Sequence, residues 1–240
     1  MKTTLFVVSF ALLSLSALAQ KAQEPTPPSY CTPCLFYGGD FDASNASANA
    51  LSNSFDHVGS QSATYVAFYV PEGQVWTVKG LFSNNMSTGS FLDPQRIKWS
   101  ISNDVSVGNA GTLIAQGEIS ATLIPTGRSW NGMAEYTALG RLTPETAVTL
   151  TTGVYWMTAV PICTNPSCGD THFYLSDVED VPAPNHKGIE PTDDSFFLAP
   201  NDGWFFAATA YPNGVCDGGG NGVGCDKFSA GLLGTATPDN

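Results

Sequence analysis

Positive charge is scarce in this sequence: nine Lys and Arg stand against 21 Asp and Glu, a formal net charge of −12. A field of that sign repels nucleic-acid phosphates and anionic membrane surfaces, so neither is expected as a partner. The acids are scattered rather than blocked, which suits solubility outside a cell; cation binding is the sharper reading of the same charge. Histidine is equally thin. His57, His172 and His186 fall in three separate segments, with Asp56 and Asp170 nearby but no H-E-x-x-H helix, so structural histidines are expected. No G-x-S-x-G elbow occurs, and the nearest approach, "GSQSA", lies in a loop-like stretch and ends in Ala63. After the first residues no apolar run approaches the roughly 20 residues that span a bilayer, so membrane insertion is not expected. Long capped helical periods are missing as well, which excludes a parallel βαβ architecture, and no fixed-period repeat suggests a propeller or solenoid.

What is present begins with an export leader over residues 1–19: Lys2, an apolar stretch from Leu5 to Leu15, and the small-residue pattern Ala17-Leu18-Ala19 before Gln20. The tail "LLGTATPDN" offers no hydrophobic anchor, so a secreted, soluble protein is expected. Six cysteines fall in three local pairs, Cys31 and Cys34, Cys163 and Cys168, Cys216 and Cys225. Six cysteines allow about 15 connectivities, and in an oxidising compartment spacing favours pairing of neighbours. Each such bridge closes a short loop worth about 2–3 kcal/mol on the chain-entropy account. "CTPC" also has redox-motif spacing, and with "CTNPSC" it could hold zinc; the turn-rich sequence that follows and the compartment favour disulfides.

Residues 20–63 are rich in Pro, Ser, Asn and Gly and read as a lead-in and loop; residues 64–240 read as a single β-domain. From Thr64 short strands succeed one another: "TYVAFYV", "QVWTVKGLFS", "RIKWSIS", "GTLIAQGEI", "MAEYTALGRL", "AVTLT", "GVYWMTAVPI", "HFYLS", "SFFLA" and "GWFFAATA". "SNNMSTGS", "LTPET" and "TTG" read as the turns between them. Ten or so strands at this spacing predict an all-β, antiparallel β-sandwich or jelly roll, with the aromatics filling the space between two sheets.

The succession "YVAFYVPEGQVWTVKGLFSNN", "KWSISNDVSVGNAGTLIAQGE" and "LTTGVYWMTAVP", from Thr64 to Pro161, resembles the β-sandwich modules of exported bacterial proteins of the sorting-anchor (PEP-CTERM) type, here without the anchor. The resemblance implies the fold and export and no particular catalysis.

Candidate chemistry sits on the loops and strands of that scaffold. Calcium is the cofactor the sequence suggests: Asp40, Asp42 and Asn45 in "GGDFDASN", and Asp217, Asn221 and Asp226 around "CDGGGNGVGC", have oxygen ligands at loop spacing without the complete EF-hand pattern. The glycine-rich stretch itself adds negative charge and opens no helix, so it reads as a stapled surface turn rather than a phosphate cradle. Trp130, in the turn-like "TGRSWNGM", and Trp204, after "PNDG", are candidate platforms for a polysaccharide or cell-surface glycan. A glycosidase on the same fold would need a carboxylate pair drawn from Glu118, Glu135, Asp177 and Glu179. Binding is the first expectation; glycosidase chemistry and a purely structural role are the alternatives.

Overall fold

The computed structural model describes residues 28–41, 50–56, 61–89, 96–106, 108–163, 173–176, 186–189, 195–199, 203–206 and 228–239. Among them the chain is all-β. β-Branched and aromatic residues are frequent in segments such as "TYVAFYV" and "GVYWMTAVPI", and turn residues separate the strands, as strand chemistry requires. The strands are β1 (Cys34–Tyr37), β2 (Ala50–Ser52), β3 (Ser54–Asp56), β4 (Gln61–Val70), β5 (Gln74–Ser87), β6 (Arg96–Asn103), β7 (Thr112–Trp130), β8 (Met133–Arg141), β9 (Val148–Leu150), β10 (Gly153–Cys163), β11 (Phe173–Ser176), β12 (Phe196–Ala199), β13 (Gly203–Phe206) and β14 (Ala230–Pro238).

They form one sheet in the order β1-β14-β5-β8-β7-β6-β10-β3-β4-β12-β13, with β2, β9 and β11 attached to it. The expected all-β class is present, but the sheet is mixed, because β10 pairs with β3 in parallel. It is also continuous and curled, a half-barrel. The curl has a cause in β7. As far as Ser120 this strand pairs with β6, and from Ala121 it pairs with β8, so one long strand carries the sheet round the bend.

Side chains from both arms meet on the inside of the curl. Val66 and Phe68 of β4, Ile97 and Trp99 of β6 and Met157 of β10 share one buried cluster with Val78 and Leu81 of β5, Ala138 of β8 and Leu232 of β14. Phe68 is the hub of its aromatics, stacked on Trp76 at 6.1 Å and on Tyr155 at 5.7 Å, and tilted against Phe36 at 5.8 Å. At the bend the arms come close together: a Cβ at Gly140 would overlap Ile119 Cδ1 and lie 2.6 Å from Ile97 Cδ1, so both isoleucines would have to shift to admit a side chain.

Several segments depart from the expectations. The stretch expected as lead-in and loop supplies β1, β2 and β3. β1 is clipped at its start by the expected Cys31–Cys34 disulfide and pairs with β14 near the opposite end of the chain. The supposed turn "SNNMSTGS" is strand as far as Ser87, because its amides find partners inside the fold. "TGRSWNGM" is likewise strand through Trp130; only Asn131 and Gly132, at φ 48° and 79°, make the turn into β8. Cys163 is disulfide-bonded, while Cys168, Cys216 and Cys225 lie outside the described residues.

Candidate functional site

Two polar constellations stand out, an inner one packed between β8 and the β1 end, on the side of β5 and β8 turned away from Leu81 and Ala138, and an outer one that opens as a groove across β6, β7 and β10. The inner one begins at an irregularity in β7. The pairing with β8 shifts register between Pro125 and Ser129, and Gly127 takes a φ of 82° there. Thr126 Oγ1 accepts the backbone N–H of Arg128 at 3.2 Å. Such bulges re-aim a side chain. Arg128 is turned onto Glu135 of β8, donating from Nε at 2.5 Å, and onto Asp40, donating from Nη1 at 2.7 Å. Thr126 Oγ1 and Ser176 Oγ also donate to the Glu135 carboxylate, at 2.7 and 2.6 Å. Tyr37 completes the group by donating its hydroxyl to Asp40 at 2.5 Å.

The network continues through neutral side chains. Asn84 Nδ2 donates to Tyr37 Oη at 3.0 Å and to Ser229 Oγ at 2.7 Å, and Thr137 Oγ1 donates to Asn84 Oδ1 at 2.6 Å. Nearby, Asn53 Nδ2 donates to Asn85 Oδ1 and to the Ala159 carbonyl, each at 3.0 Å. Burial, then Tyr30 and Asp40, pushes the Tyr37 phenol well above its ordinary value. Burial works to lower the Arg128 guanidinium, but Glu135, and after it Tyr37 and Asp40, hold it above its ordinary value. A carboxylate with three donors and no exposed side-chain surface is sealed from any substrate. This constellation ties β7, β8, β11 and the β1 end together, with Glu135 sealed while Arg128 and Asp40 keep 24% and 16% of their side-chain surface exposed.

The outer constellation follows from the alternation of side chains along three adjacent strands. Gln116 of β7 faces Ser100 of β6, and Ser100 faces Thr158 of β10, so the three form a polar row across the sheet. One step along, Lys98 lies between Glu118 and Val160. Phe55, Tyr65 and Leu198 raise the sides, and the result is a groove of about 150 Å³. The Lys98 ammonium sits 4.5 Å from the centre of the Phe55 ring. Burial pushes the Tyr65 phenol upward, with the Ser100 hydroxyl opposing that shift. Thr158 is only 4% exposed, and its hydroxyl oxygen has no hydrogen-bond partner. Leaving such a group unmatched costs about 1–3 kcal/mol; the Thr64 hydroxyl and the Trp99 indole N–H are buried and unmatched in the same way.

The structure distributes the sequence-derived candidates widely. Asp40 is engaged by Arg128 and Tyr37, while Asp42, Asn45, Asp217, Asn221 and Asp226 lie outside the described residues. Among the described residues no group of three or more His, Cys, Asp or Glu could hold a metal ion. Trp130 is half-buried at the end of β7 and packs edge-on to Phe41 at 6.2 Å. Trp204 lies on β13, opposite Leu198 of β12. Glu118 is half-exposed and bound to Arg96 at 2.9 Å, an environment opposite to that of Glu135. Asp177, Glu179, His57 and His172 lie outside the described residues.

No family model, curated protein or solved structure matches the chain. The site therefore stands on its own geometry. Sequence reasoning passed over Phe55, Tyr65, Lys98, Ser100, Gln116 and Thr158, because ordinary strand residues join only through sheet register. One trace was legible: Lys98 and Ser100 are the middle two of the four polar positions in the alternating "RIKWSIS".

Proposed function

We propose that the protein is a secreted, non-catalytic β-module that binds a carbohydrate or cell-surface glycan, and that the outer groove is its contact site. The observation that carries this reading is the groove itself, in which exposed Gln116 and Lys98 lie between the Phe55 and Tyr65 walls and whose lining residue Thr158 holds a buried, unmatched hydroxyl. A sugar ring offers what such a place lacks: an apolar face for the aromatic walls and hydroxyls for the polar row. The volume, about 150 Å³, is half the lower bound of about 300 Å³ for drug-sized ligand pockets, which suits one ring of a longer chain. The export leader and the resemblance to exported bacterial modules support a place outside the cell. In this reading the two arms of the half-barrel serve as the layers of a sandwich or jelly roll, with the groove on the outside of one layer.

Retention on insoluble polysaccharides tests the proposal. The wild type is expected to be retained, and Thr158→Val to lose at least about tenfold in affinity. Because that substitution replaces an unmatched hydroxyl with a methyl group of the same shape, its melting temperature should stay level or rise. Equal retention of the two proteins would count against the groove.

A further inference from the structure

Resting on that reading, we infer that the bound sugar carries a carboxylate, in the manner of a uronic acid, and that Lys98 selects it. Lys98 is the one cation among the groove's described lining residues. It makes no ion pair among the described residues, in a chain where acidic groups outnumber basic ones 21 to 9. Its cross-strand neighbour Glu118 would be the natural partner, yet Arg96, two residues before Lys98 on β6, holds that carboxylate at 2.9 Å. The Phe55 ring supports the ammonium at 4.5 Å without neutralising it. The cation is thus left available at the groove.

The spacing suits one acidic ring. Lys98 and Ser100 lie on the same face of β6, about 7 Å apart along the strand, comparable with the width of a sugar ring. A carboxylate on Lys98 would leave the ring hydroxyls over Ser100, Thr158 and Gln116. The overall negative charge does not forbid this, because charges beyond about 8–10 Å are largely screened at ordinary salt, whereas a direct ammonium–carboxylate contact is weakened by salt but keeps part of its attraction.

Short oligogalacturonates, used as the free acid and after methyl esterification of their carboxylates, test the inference by calorimetric titration. Wild type should bind the free acid about tenfold more tightly than the ester at low salt, and the preference should shrink as salt is added. Lys98→Gln should bind both forms equally, at the level of the wild type with the ester; Lys98→Arg should keep the preference. Equal binding of both forms by the wild type, or an undiminished preference in Lys98→Gln, would overturn the role of Lys98 while leaving the groove as a sugar site. Binding of neither form by the wild type, together with no retention on any polysaccharide, would remove the groove reading and this inference with it.

Discussion

Glu118 and Glu135 are the same residue type on neighbouring strands, and their surroundings give them opposite weight. Glu118 is half-exposed and meets Arg96 in water, an arrangement worth at most about 1 kcal/mol. Glu135 is sealed, with Arg128, Thr126 and Ser176 all donating to it. Removing it leaves the Arg128 charge largely buried, with Asp40 alone to balance it, and breaking such a pair costs about 3 kcal/mol. Glu135→Ala should therefore lower the urea midpoint strongly, with little change in the slope of the transition, and Glu118→Ala should hardly move it. Comparable midpoints for the two variants would show that the inner network contributes no more than a surface pair. Neither acid stands out from the other in the sequence, because both sit in strands of ordinary composition; burial alone separates them.

Among the elements, β7 decides the shape. Its first half belongs to one arm and its second half to the other, and the bulge at Thr126–Arg128 points its guanidinium into the inner network. At the bend the sheet is closely packed around Gly140 of β8, with Ile97 and Ile119 occupying the space of a side chain. Gly140→Ala should consequently destabilise by about 1–3 kcal/mol through overpacking, read from thermal or urea melts. No change in stability would mean that the arms can part at the bend without loss. The strand pattern made β4, β6, β8 and β10 legible, since β6 alternates apolar and polar residues, β4 and β10 are rich in β-branched and aromatic residues, and turn residues bound all four. β1 and β14 were not legible. The first is a four-residue piece beside a glycine pair, the second sets Gly, Ala and Thr around Leu232-Leu233, and each becomes a strand because the other, or β5, supplies its hydrogen bonds.

For the molecule as a whole, stability should decline on the alkaline side. Burial raises the phenols of Tyr37 and Tyr65 above their ordinary value of about 10. The folded chain then keeps protons that the unfolded chain releases, so the contribution is intact below about pH 10 and is lost as pH rises through the raised values. Denaturation midpoints should fall as pH rises above about 10, and Tyr65→Phe should make that fall shallower. A slope unchanged by the substitution would show that Tyr65 titrates alike in both states.

The sequence by itself determined the β-class, most of the long strands, the Cys31–Cys34 bridge and the sign of the net charge, since each depends on local alternation, local spacing or composition. Only the tertiary structure decided that the sheet is mixed and curls round β7, that the Asn-rich end of β5 is buried, and that Arg128, Asp40 and Glu135 meet. It also brought Lys98, Phe55 and Thr158 to one groove. Those outcomes depend on register between strands far apart in the chain, and register is fixed by the summed packing of both arms rather than by any short stretch of residues.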